Sequence, residues 1–139
     1  MLGPTLLDYE LYIYSLPDHF SSIHTSTLTM IHQANDAATV RGELLFAGDI
    51  HLHVREVVRF DLPEPKIVFY GYEIWRGREK LYWYDSQPHP NEPSLAATHP
   101  HHKHVPPEIK HHRIPAPDLS FTEPNLPFLI QEIEQLQVD

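Results

Sequence analysis

A chain of 139 residues lies near the commonest size of one domain, and its 41% apolar content supplies one core but not two. It has no cysteine, which excludes disulfides, thiolate nucleophiles and cysteine-bound zinc, and its net charge of −9 argues against nonspecific nucleic-acid binding. All ten Lys and Arg lie between Arg41 and Arg113, where ten acids match them; both ends are purely acidic, so any anion-holding surface belongs to the middle.

Met1 to Asp8 lacks the basic start and apolar run of a leader, and no stretch approaches the ~20 apolar residues of a membrane span. A cytoplasmic protein without a membrane partner is expected. Pro4 suits a first helical turn; Leu6, Leu7, Tyr9, Leu11, Tyr12 and Ile13 follow, and Pro17 should end the run. This predicts an N-terminal helix over 4–16 lying on a sheet. From Ser21 to His32, the residues Ile23, Thr25, Thr27, Thr29 and Ile31 alternate with others, a strand pattern, and Asn35-Asp36 marks a turn. Further strands are predicted from Thr39 to Phe46, His51 to Phe60, Ile67 to Trp75 and Leu81 to Tyr84, with turns at Gly48-Asp49, Pro63 to Pro65, and Gly77. Such short connections make neighbours antiparallel. The expected class is α+β, an antiparallel β-meander of about five strands.

The chain changes character at Pro88. Ten of its fourteen prolines lie between Pro88 and Pro127, and seven of its twelve histidines between His89 and His112, which forbids a long helix or a central strand. Residues 88–125 therefore read as a long Pro/His-rich loop packed on the sheet. Leu126, Leu129, Ile130, Ile133 and Leu136 then recur at helical spacing and predict a C-terminal helix. With no internal repeat, 1–139 reads as a single domain.

Within the third strand, Leu52, Val54, Glu56, Val58 and Phe60 share one face, and His51, His53, Arg55, Val57 and Arg59 the other. A carboxylate among apolar neighbours must be paired or raised in pKa. Glu56 is thus either a general base or orienting group, or a structural acid bonded to a tyrosine. His51 and His53 could chelate, but Glu56 points away from them, and no metal is expected there. Tyr70, Tyr72 and Ile74 share a face, as do Tyr82 and Tyr84, a stripe that suits core packing better than base stacking. The segments Tyr84-Asp85-Ser86-Gln87-Pro88-His89 and Pro100-His101-His102-Lys103-His104 offer imidazoles that titrate near neutrality beside a fixed positive charge. Those groups suit metal-independent transesterification of RNA. They equally suit adventitious metal binding, or hydrogen bonds that tether the loop.

Leu52-His53-Val54-Arg55-Glu56-Val57-Val58, Tyr70-Gly71-Tyr72, Trp83-Tyr84-Asp85-Ser86-Gln87-Pro88-His89 and the His101 to His104 tetrad occur in that order. The series resembles the TumE family of bacterial toxins over residues 20–136. Where members carry an arginine before the Tyr-Asp pair and an asparagine after it, this chain has Trp83 and Ser86. The resemblance implies a type II toxin neutralised by a helix-turn-helix antitoxin, and by analogy a ribonuclease that needs no cofactor. On that reading, one of His89, His102 and His104 takes the proton of the 2′-hydroxyl and another protonates the leaving oxygen. Lys103, with Arg55 or Arg59, would meet the phosphoryl charge, and Glu56 would set a tautomer or pKa. Tyr72, Tyr84, Asp85 and His101 complete the expected substrate contacts. The tetrad and Glu56 must then share one pocket. RNA, the antitoxin and, in a homodimer, a second copy are the expected partners. The alternatives are an inactive homologue that binds a protein, and a histidine-based metalloprotein.

Overall fold

The computed structural model describes residues 1–34 and 36–138. Helices α1 (Leu6–Tyr14) and α2 (Leu16–His19) precede strands β1 (Thr25–Ser26), β2 (Thr29–Gln33), β3 (Ala37–Phe46), β4 (Ile50–Arg59), β5 (Lys66–Arg76) and β6 (Glu79–Asp85). Strands β7 (His102–His104) and β8 (Arg113–Pro115) follow, and α3 (Leu126–Val138) closes the chain. All pairs are antiparallel, in the order β1-β3-β4-β5-β6-β7-β8, with β2 also on β3. The class is α+β as expected, with eight strands in place of five.

Period-two alternation in β3 to β6 gives the sheet one apolar face, and both main helices lie on it. Val40, Leu44, Leu52, Val58, Ile67 and Ile74 are buried there together with Tyr9 and Ile13 of α1 and Leu129, Ile130 and Ile133 of α3. Burial of this kind contributes about 1.5–3 kcal/mol for each large side chain, before entropy is counted. The other face carries the charged and imidazole-bearing residues of the same strands, and neither α1 nor α3 packs on it.

Three expectations are corrected. Pro17 does not simply end the first helix: α1 stops at Tyr14, and Pro17 lies in the first turn of α2, where a missing N–H costs nothing. The strand expected over Ser21 to His32 splits into β1 and β2. Between them Thr27 keeps its N–H on Glu43 O, but its Oγ1 takes the Glu43 N–H and Ser26 Oγ accepts from Leu28 N, so hydroxyls stand in for main-chain acceptors there. The Pro/His-rich segment is no mere loop, since β7 and β8 extend the sheet past β6. Edge positions tolerate its prolines because only one side of the strand need pair. Of the turn expected at Asn35-Asp36, Asn35 lies outside the described residues, and Asp36 takes a positive φ of 52°. Among the described residues, no helix is long and apolar enough to cross a membrane.

Candidate functional site

Pairing of β6 with β7 sets Trp83 beside His104, Tyr84 beside Lys103 and Asp85 beside His102. Alternation then sends Asp85, His102, His104 and Trp83 to the open face of the sheet, and Tyr84 and Lys103 to the helix-covered face. His102 Nε2 lies 3.0 Å from Asp85 Oδ1, His104 Nε2 lies 3.4 Å from Asp85 Oδ2, and the two Nε2 atoms are 3.1 Å apart. Each ring is oriented from behind by the backbone. His102 Nδ1 donates to Pro100 O at 2.9 Å and His104 Nδ1 to Ile109 O at 2.8 Å. Trp83 stacks on His104 with centroids 3.7 Å apart, and the His89 ring meets His102 edge-on at 4.8 Å.

All three cluster residues are buried: His102 is 1% exposed, His104 2% and Asp85 8%. Burial opposes charge on both partners of the Asp85–His102 contact, but pairing outweighs it. The Asp85 carboxyl is held well below the usual carboxylate range, and the His102 imidazole lies above the ordinary histidine value. Asp85 opens onto a cleft of about 400 Å³ on the open face, shared with Arg55, Phe69, Glu73, Trp83 and Gln87. The Arg55 guanidinium sits 5.6 Å from the centre of the Phe69 ring. A second group, Glu43, His51 and His53, lies on the same face and is only partly buried.

Of the residues expected from sequence, the structure thus brings together Asp85, His102, His104, Arg55 and, at the margin, His89. The others lie elsewhere. Glu56 is fully buried on the helix-covered face, where the hydroxyls of Tyr9 and Tyr72 both donate to it and Asn125 Nδ2 donates to Tyr72. The pocket expected to join Glu56 to the tetrad does not form, because period-two alternation places them on opposite sides of the sheet. Lys103 reaches Glu132 Oε2 at 3.4 Å and covers the Tyr82 ring, and Tyr84 donates to the same carboxylate. Arg59 is held by Asp61 at 2.7 Å. His101 bonds the Tyr70 hydroxyl through Nδ1 at 2.7 Å. Sequence reading missed Trp83 and Glu73 as cleft residues. Their signal was present: once Tyr82 and Tyr84 share a face, Trp83 and Asp85 must share the other.

The family model described as Toxin TumE matches residues 14–137. No curated protein and no solved structure matches the chain.

Proposed function

The chain belongs to the TumE toxin family, and we propose that it is the toxin of a type II toxin–antitoxin module that cleaves RNA at its open sheet face. The observation that supports this reading is the buried Asp85–His102–His104 cluster, whose Asp85 reaches the cleft beside Arg55. In RNA cleavage a ribose 2′-oxygen attacks the neighbouring phosphorus and the 5′-oxygen leaves, with charge building on the non-bridging oxygens. Arg55 is the Lys or Arg among the described residues that lines the cleft and meets that charge; Lys103 and Arg59 are engaged with Glu132 and Asp61. Phe69 and Trp83 offer ring faces in the cleft on which bases stack. The cluster is the point at which the 2′-hydroxyl loses its proton. The protein works in the cytoplasm and is silenced by a helix-turn-helix antitoxin.

Purified protein incubated with RNA tests this. Wild type yields discrete fragments, Arg55→Ala slows their formation roughly tenfold, and a His102→Ala/His104→Ala variant forms none above background. Growth arrest on expression with cellular RNA left intact would sink the ribonuclease reading. It would favour a toxin that acts by binding a protein.

A further inference from the structure

Count the protons in the buried cluster. A neutral imidazole has one N–H. His102 and His104 both spend theirs on backbone carbonyls, through Nδ1. With both rings neutral, two bare Nε2 lone pairs 3.1 Å apart face one carboxylate, whose Oδ1 lies 3.0 Å from His102 and Oδ2 3.4 Å from His104, so acceptors converge there with no donor. Three acceptors held this close, out of water, repel one another unless a positive charge lies between them. A proton on one Nε2 relieves the pairs that include it and leaves the remaining pair opposed. A metal ion satisfies all three at once.

The second imidazole group on the same face shows that this deficit is peculiar to the first. There His51 Nε2 donates to Gly77 O at 3.1 Å, and His53 Nε2 donates to Glu43 at 2.8 Å and toward His51 Nδ1 at 3.0 Å, the acceptor pair left over, His51 Nδ1 and Glu43 Oε1, standing 3.9 Å apart. That arrangement closes with neutral rings and needs no cation. It also lies at the surface, with the His53 side chain 36% exposed.

We propose that Asp85, His102 and His104 form a three-ligand site for a divalent first-row transition ion. The spacing fits. Metal–ligand bonds of ~2.0–2.1 Å put adjacent donors roughly 2.9 Å apart at a right angle and roughly 3.3 Å apart at the tetrahedral angle. The Nε2–Nε2 separation of 3.1 Å and the nitrogen–oxygen separations of 3.0 Å to Asp85 Oδ1 and 3.4 Å to Asp85 Oδ2 lie at those values, the carboxylate offering both its oxygens. Two imidazoles and one carboxylate suit zinc, iron, manganese or nickel better than calcium or magnesium, which favour all-oxygen sets. The backbone carbonyls behind both rings fix the tautomer a metal requires, as outer-shell partners of ligating histidines do. Three ligands leave coordination positions free, as in a reactive site and not in a closed structural one. Asp85 brings those positions to the cleft. This departs from the metal-independent chemistry suggested by the sequence. It does not rest on RNA being the substrate.

The test is ion binding by untagged full-length protein, stripped with chelator and then titrated with zinc against a chromophoric competitor, and with cobalt for its ligand-field bands. One equivalent of zinc should bind. Affinity should fall at least ~10-fold in Asp85→Asn and in His104→Ala, and stay unchanged in His51→Ala/His53→Ala. Circular dichroism identifies any variant that fails to fold, and the wild-type cobalt spectrum then decides. Intense bands of a nitrogen-and-oxygen site of low coordination number support the proposal, and the spectrum of free aqueous cobalt overturns it. Loss of zinc in the His51/His53 variant with retention in the Asp85 and His104 variants also overturns it, as does a wild type that takes up no zinc.

Discussion

Two tyrosine hydroxyls donate to Glu56, and their oxygens are anchored in the core between sheet and helices. Desolvation pushes the Glu56 carboxyl up, only partly offset by the hydrogen bonds from Tyr72 and Tyr9. Removing the acceptor leaves two buried donors unpaired. Glu56→Ala should therefore cost about 3 kcal/mol, read from urea unfolding. The pH dependence has a definite sign. A folded-state pKa above the unfolded value means that the native state binds the extra proton, so this group's contribution to stability is greatest in acid. That contribution falls as pH rises from the ordinary carboxylate range, ~4.3, through the raised native value, and is level beyond it. Glu56→Gln removes the titration. Its stability relative to wild type should improve from about pH 4 upward until the curves run parallel, and a constant difference across that range would refute the assignment. His102 and His104 differ from Glu56 in how they are satisfied: both lean on main-chain carbonyls, which a side-chain substitution elsewhere does not remove.

The strands that were legible in the sequence, β3 to β6, alternate over seven residues or more, long enough for a period to declare itself. The tetrad strand β7 has three residues, all polar, between prolines, and nothing in its own composition distinguishes it from a loop. Only pairing with β6 makes it a strand, a tertiary fact. Read as a loop, β7 offers no alternation to separate His102 and His104 from Lys103, so the sequence groups Lys103 with residues on the other side of the sheet. Asp85 was likewise placed with the substrate contacts. The two imidazoles that face it belong to residues 17 and 19 positions later, beyond the reach of a local pattern. Gly42 shows the same limit at the opposite edge. It takes φ +135° in the middle of β3, and a Cβ there would meet Thr27 O at 2.5 Å, where the chain between β1 and β2 crosses. Gly42→Ala combines a disfavoured backbone with a clash against main chain. It should destabilise by about 3 kcal/mol, lowering the urea midpoint with an unchanged slope.

The sheet separates two tasks. One face is closed by α1 and α3 and carries the core; the other carries the cleft, with the Asp85, His102 and His104 cluster buried beside it. Variants on the two faces should therefore act on different observables. Tyr72→Phe removes a buried donor to Glu56 and should cost about 1–2 kcal/mol in stability, with RNA cleavage per folded molecule unchanged. Asp85→Asn should abolish the open-face activity. The double variant should show additive stability losses within ~0.5 kcal/mol, since the two residues share no partner; a larger coupling in double-mutant cycles would mean that the faces communicate. The order of strands carries one last implication. The sheet ends on β8, a three-residue strand closed by Pro115, which has no N–H to offer. A chain that docks there in extended form finds a short, interrupted row of donors, so the molecule is guarded on that flank against templating fibrils from its own copies, however concentrated it becomes.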